Sequence, residues 1–138
     1  MRVEIVTPYQ MFFEDVVEMV VVTSKDGEVG IMPGHTPLMV ALVPGEIRIK
    51  SHEHWRVAAA SNGYAEVAPE LTIIVVNAAE WAEDIDASRA KKSLERSEKR
   101  YHDKNTPPAE KVHARHGIQR AQARLHVASK YGHRQPPS

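Results

Sequence analysis

Pro44-Gly45-Glu46-Ile47-Arg48-Ile49-Lys50 is a turn dipeptide followed by strict apolar–polar alternation. A period of two places Ile47 and Ile49 on one face and Glu46, Arg48 and Lys50 on the other. The stretch therefore reads as a strand with one buried and one wet face. The same grammar extends outward in both directions. Residues 16–23 and 71–76 are denser in β-branched side chains and are expected to lie deeper. Asp26-Gly27, Pro33-Gly34, Pro44-Gly45 and Asn62-Gly63 separate the runs, each a dipeptide suited to a tight turn. Short runs at this spacing, up to about residue 83, predict two packed antiparallel sheets with a modest core.

From Asp84 onward the period changes. Asp84 or Asp86 can cap a first helix, along which Ala90, Leu94, Ser97 and Tyr101 recur at helical steps. Lys104-Asn105-Thr106-Pro107-Pro108 breaks it, with Thr106 or Asn105 as the next cap and Pro in the first turn. A second helix shows Ala114, Ile118, Ala121, Leu125 and Ala128 in one stripe. So Ala-rich a stripe lets two helices approach closely as an antiparallel hairpin, but it buries little, so the hairpin is expected to be held weakly. Gly117 costs about 1 kcal/mol against Ala in a helix interior. Residues 132–138 read as a frayed end. The expected fold is mainly β with α: an antiparallel β-sandwich over residues 1–84, then an antiparallel two-helix hairpin over residues 85–138.

A formal net charge of zero hides a division at the same place. Residues 1–84 hold five Lys/Arg against thirteen Asp/Glu, a net −8, and residues 85–138 hold thirteen against five, a net +8. The second part also carries five of the eight His. An acidic domain joined to a basic arm has two kinds of partner, and the arm suits a polyanionic one better than it suits plain solvation. No apolar run approaches the roughly 20 residues that span a bilayer. Arg2-Val3-Glu4-Ile5-Val6 alternates from the start and lacks the blocks of a signal peptide. Without Cys there is no thiolate chemistry or disulfide framework, and a cytoplasmic location is the default.

Catalytic constellations are poor. His52 and His54 could ligate a metal from one side of a strand, but Ser51-His52-Glu53-His54 reads as a hairpin turn. Glu110-x-x-His113 is half of a helical di-metal site without a second copy. His35 has no Ser partner or orienting carboxylate near it in sequence, and Gly27-x-x-Gly30 is too weak for a phosphate loop. The reading is a non-catalytic regulatory chain that needs no cofactor.

Gly27-Glu28-Val29-Gly30-Ile31-Met32-Pro33-Gly34-His35-Thr36-Pro37-Leu38, then Pro44-Gly45-Glu46-Ile47-Arg48-Ile49, resembles the epsilon subunit of bacterial F-type ATP synthases. Gly63-Tyr64-Ala65-Glu66-Val67, Thr72-Ile73-Ile74-Val75, Ala79-Glu80 and Asp84-Ile85-Asp86-x-x-Arg89-Ala90 continue the resemblance in register, so that it covers residues 3–103 position by position. Residues 104–138 follow only in helical pattern and basic character.

The resemblance implies a central-stalk subunit, peripheral on the cytoplasmic face of the bacterial cell membrane and not inserted in it. It would bind the gamma subunit and the c subunits of the rotor ring, in a machine that couples ATP synthesis to hydrogen ion or sodium ion transport. Glu28 matches a position facing the ring, and His35 one near gamma. The helices would fold against the sandwich or extend into the catalytic head of alpha and beta subunits, blocking ATP hydrolysis. There an acidic segment of beta would meet a basic face of His113, Arg115, His116, Arg120 and Arg124. Histidine gains charge as pH falls from about 8 to 6, so inhibition should deepen in that direction.

Some members of that family bind ATP through an Ile-Asp-x-x-Arg-Ala motif, which implies ATP as a regulatory ligand here. Ile85, Asp86, Arg89 and Ala90 match it, with Glu80 upstream. Asp86 could fix Arg89 at three residues' spacing, and Arg96 lies two turns on, on nearly the same face. Arg120 and Arg124, one turn apart, could complete a phosphate clamp, since guanidinium groups suit phosphate oxygens. Alternatively, Asp86 only caps the helix. Two other functions compete: a β-sandwich module with a basic nucleic-acid-binding tail, and a sandwich binding carbohydrate or peptide. The tail has only Tyr101 and Tyr131 to stack on bases, and Trp55 and Trp81 are far apart in sequence, so neither is preferred.

Overall fold

The computed structural model describes residues 1–131, so the stretch read as a frayed end lies outside the described residues. Two compact units divide the chain, Met1–Trp81 and Ala82–Ser138.

The first unit contains ten strands. They are β1 (Arg2–Val6), β2 (Met11–Val16), β3 (Met19–Ser24), β4 (Gly27–Ile31), β5 (Leu38–Leu42), β6 (Gly45–Ser51), β7 (His54–Ala60), β8 (Gly63–Val67), β9 (Leu71–Val76) and β10 (Ala79–Trp81). They form two five-stranded sheets, ordered β2-β1-β9-β8-β5 and β10-β7-β6-β3-β4. Neighbours are antiparallel except β1 and β9, which run parallel. The core between the sheets is aliphatic, with Val3, Ile5, Val20, Val22, Ile31, Ile49 and Ile74 among its fully enclosed members. As the alternation predicts, Ile47 and Ile49 of β6 point into it.

The run at residues 16–23 is not one strand. Val16 ends β2 in the first sheet, and β3 begins at Met19 in the second. Between them the chain crosses the sandwich, anchored by Val17 N–H to the Met1 carbonyl (2.7 Å) and Glu18 N–H to the Lys50 carbonyl (2.8 Å). Val17 is buried in the crossing, so the apolar density there marks a change of sheet rather than a continuous strand. β6 and β7 are joined through His52 and Glu53 at φ 53° and 65°, a two-residue hairpin turn with both residues left-handed. His52 therefore sits in the turn, and the Glu53 N–H donates to Glu18 Oε1 (3.2 Å).

An aromatic cluster joins the outer strand of one sheet to that of the other. Trp81 of β10 stacks on Phe12 of β2 with ring centres 4.5 Å apart and meets the edge of Phe13 at 5.9 Å. The Arg56 guanidinium lies 3.6 Å from the Trp81 ring centre, a cation–π contact.

The second unit opens with a 3-10 turn at Ala82–Asp84, followed by α1 (Ala87–His102) and α2 (Pro108–Tyr131). Asp86 caps α1, its Oδ1 accepting the Arg89 N–H at 3.0 Å. The next cap falls one residue later than Thr106: the Pro107 carbonyl accepts the first bond of α2 from Lys111 N–H (3.0 Å). Thr106 is spent on the connecting turn, its N–H donating to the Asp103 carbonyl (3.2 Å) while the Asp103 side chain takes the Asn105 N–H (2.9 Å). Pro108 opens the helix where no donor is needed.

Two contacts fix the antiparallel register of the hairpin. Arg100 pairs with Glu110 at 3.5 Å near the turn, and a Cβ at Gly117 would stand 2.7 Å from Ser97 Oγ. Gly117 thus faces α1 directly opposite Ser97, with no room for a side chain while the Ser97 hydroxyl keeps its place. The buried residues are small, Ala90 on α1 and Ala114, Ala121, Val127 and Ala128 on α2. Leu94 and Ser97 are half-buried and Tyr101 is exposed, so the α1 stripe is shallower than its spacing suggested.

Candidate functional site

The proposed nucleotide residues divide between the two units. Glu80 belongs to β10, half-buried, whereas Ile85, Asp86, Arg89, Ala90, Arg96, Arg120 and Arg124 belong to the helical unit. Asp86 does not grip the Arg89 side chain; it holds the Arg89 backbone N–H as a cap, leaving that guanidinium at an exposed residue. Ala90 is fully buried and Ile85 half-buried. Arg89 and Arg96, seven residues apart on α1, share a side of the helix. Counting back along α1 and forward along α2 from the Ser97–Gly117 contact brings Arg89 about level with Arg124 along the hairpin axis. Arg120 reaches back so that Nη2 lies 3.7 Å from the Cβ position of Gly117.

On α2, His113, His116, Arg120 and Arg124 follow at steps of three, four and four and line one side. Arg115 stands about 200° around the helix from His113, so the five residues read as one basic face are four on one side and Arg115 away from them. Among the described residues no cluster of three His, Cys, Asp or Glu could hold a metal, and no helix is long and apolar enough to cross a membrane.

Glu28 and His35 lie towards opposite ends of the sandwich, the first near the start of β4 and the second in the loop beyond its end. Glu28 pairs with Arg48 Nη1 at 2.5 Å, and the same nitrogen bonds Glu46. Burial works against the Arg48 charge, but the bonds to Glu46 and Glu28 outweigh it and hold the guanidinium above its ordinary range. The turn carboxylate is thereby tethered to the sheet rather than free in solvent. His35 Nδ1 lies 2.7 Å from the Thr36 carbonyl and donates to it when protonated there, and the His35 N–H donates to the Met32 carbonyl (3.1 Å).

One surface escaped the sequence reading. On the outer side of the first sheet, Val6, Val75, Tyr64 and Ala41 align across β1, β9, β8 and β5, and in the adjoining row Ile73 and Met39 alternate with Glu4 and Glu66. Met39 is 61% exposed and Tyr64 45%, while Val6, Ile73 and Val75 are half-buried. Glu4, Glu14 and Glu66 border this apolar strip, and Arg2 binds Glu4 and Glu14, which raise its own pKa. A continuous apolar strip with a polar border is the mark of a docking surface.

Residues 1–82 match the family model described as the β-sandwich domain of the ATP synthase delta/epsilon chain, and residues 83–129 match its long α-helix domain. The chain belongs to the ATP synthase delta/epsilon family. It is similar to the ATP synthase epsilon chain of Caldicellulosiruptor bescii, 42% identical over 127 residues and 92% of each chain. It is also similar to the epsilon chain of Syntrophobacter fumaroxidans, 40% identical over 94% of this chain and 96% of that one. Its fold resembles a chain in the cryo-EM structure of the Euglena gracilis mitochondrial ATP synthase comprising OSCP, F1 and c-ring, with a TM-score of 0.77 and 17% identity over 94% of this chain and 80% of that one. The delta/epsilon family thus accounts for both units, the sandwich and the hairpin, in the order in which they stand here.

Proposed function

We propose that this chain is a non-catalytic adaptor and brake of a rotary ATP synthase, peripheral on the cytoplasmic face of a bacterial membrane. The observation that carries the adaptor reading is the apolar strip across the first sheet, too continuous to be scattered surface residues. It docks on the gamma subunit, while the Glu28 end of the sandwich, with its carboxylate tethered by Arg48, meets the c subunits of the rotor ring. Two partners on different surfaces of one rigid sandwich transmit torque.

The helical unit is the brake. Its small buried residues bind the helices loosely, and an arm rich in Lys, Arg and His gains by meeting an acidic segment of beta in the head of alpha and beta subunits. Each exposed pair contributes only about 0.2–1 kcal/mol, so the brake is collective. ATP is a regulatory ligand of the closed hairpin, its phosphates engaged by Arg89, Arg96, Arg120 and Arg124, which favours the uninhibited arrangement.

The deciding experiment compares complexes reconstituted with the intact chain, with residues 1–84, and with His113, Arg115, His116, Arg120 and Arg124 all changed to Ala. Residues 1–84 should assemble with gamma and support coupled synthesis, and both altered forms should hydrolyse ATP faster than the parent. A folded fragment that does not bind gamma refutes the adaptor; unchanged hydrolysis in the fivefold variant refutes the brake.

A further inference from the structure

A sheet edge leaves a row of backbone N–H and C=O groups without a neighbouring strand, and proteins blunt such edges with charge, proline, bulges or shortness. Among the described residues β2 and β5 hold the edges of the first sheet, β10 and β4 those of the second. Three are blunted. β2 carries Glu14 and Asp15 and its register with β1 slips at Ile5 and Val6. β10 has only three residues. β4 carries the exposed Glu28 and two glycines.

β5 is different. Leu38-Met39-Val40-Ala41-Leu42 has no charge, no Pro and no Gly. Val40 and Leu42 are buried, and Met39 and Ala41 are exposed on the side that bears the apolar strip. Ala41 pairs with Tyr64, so the row of Val6, Val75 and Tyr64 runs to this bare edge unbroken, while Met39 stands beside Glu66 in the next row.

We propose that β5 is a strand-addition site, where an extended segment of the stalk subunit engaged by the strip pairs as a sixth strand of the first sheet. The inference rests on the docking reading above and adds its geometry. Backbone groups of β5 that point away from β8 supply the hydrogen bonds, and apolar side chains at every second position of the incoming segment meet Met39 and Ala41. A second copy of this chain is the poorer occupant: residues 1–84 carry a net −8, and pairing two such units edge to edge sets like charge against like. The fitting segment is apolar in alternation and flanked by Lys or Arg, which the Glu66 carboxylate one strand in from the edge and the net −8 of residues 1–84 favour.

Amide hydrogen exchange of the full chain, alone and with purified gamma subunit, tests this directly. In the free chain the outward amides of β5 should exchange readily. On binding they should slow by about tenfold or more, which corresponds to about 1.4 kcal/mol of added protection. If gamma binds, and Tyr64→Lys on the strip releases it, yet β5 exchanges at its free rate, docking uses the sheet face alone and strand addition is wrong. If β5 becomes protected as the chain's own concentration rises without gamma, the occupant is a second copy and the proposal is overturned. If gamma does not bind at all, the docking reading fails and takes this inference with it.

Discussion

Gly117→Ala tests how closely the two helices approach. In an isolated helix the change gains about 1 kcal/mol, because Ala orders less backbone than Gly. Here the new methyl would stand 2.7 Å from Ser97 Oγ, well inside ordinary contact, and 3.5 Å from Ser97 Cβ, which is comfortable. Ser97 must therefore turn its hydroxyl to another rotamer or the helices must separate, at a cost of about 0.5–1.5 kcal/mol. The two effects nearly cancel, so Gly117→Ala alone should change hairpin stability by less than about 0.5 kcal/mol. With Ser97→Ala in place the oxygen is gone, and the same change should return nearly the full 1 kcal/mol. A double-mutant cycle, read from urea unfolding followed by far-UV circular dichroism and from exchange of the α2 amides, should give a coupling of about 0.5–1.5 kcal/mol. If Gly117→Ala stabilises by about 1 kcal/mol whatever stands at position 97, the helices do not meet at this point in solution, and the antiparallel register drawn from the contact is wrong. Where the coupling is found, the double variant should also favour the closed hairpin and weaken inhibition of ATP hydrolysis in the assembled complex.

Gly63→Ala should destabilise the sandwich by at least about 1–3 kcal/mol in thermal unfolding, because its Cβ would collide with the Val75 carbonyl oxygen and stand 2.8 Å from Val76 Cα, backbone atoms that cannot swing aside. Trp81→Ala should cost about 2 kcal/mol through the lost Phe12 stack and Arg56 cation–π contact, and Arg56→Met a smaller part of that. Asp86→Ala should lower helix content without any nucleotide present, by a capping loss of about 0.5–2 kcal/mol. Millimolar ATP should raise the melting temperature of the isolated chain, and Arg89→Ala, which leaves that cap in place, should remove most of the rise; an unchanged melting curve of the parent would leave the motif a helix cap alone.

Several of these features were legible in the chain before any coordinates. The alternation of Glu46 to Lys50, the helical steps from Ala90 and the cap at Asp86 are local, set by neighbours two to four residues away, and periodicity reports such neighbours faithfully. The shift of charge sign near residue 84 was equally plain and falls where the two family models meet. The second cap was missed by one residue because Asn105 and Thr106 both carry capping groups, and the choice between them and Pro107 depends on how Asp103 folds the connecting turn. Val127 escaped because it lies one step from the Ala and Leu stripe, and only the path of α2 past its neighbours buries it. Arg115 was grouped with its neighbours by composition, whereas helical geometry sets it on another side.

Sequence by itself determined the class of each half of this protein: period two and turn dipeptides for the sandwich, period 3.6 for the hairpin, and opposite net charges. These are properties of residues against their near neighbours in the chain, so they survive without knowledge of the fold. Only the tertiary structure decided what lies beside what across distance. It laid Val6, Val75, Tyr64 and Ala41 in one row from four separate strands, left β5 as the unblunted edge next to that row, and tied Glu28 to Arg48 across the sheet. It also turned Gly117 from a weak point of a helix into the place where Ser97 can pass. Strand register and helix crossing bring together residues tens of positions apart, and no local pattern records which of the many possible pairings minimises the free energy of the whole chain.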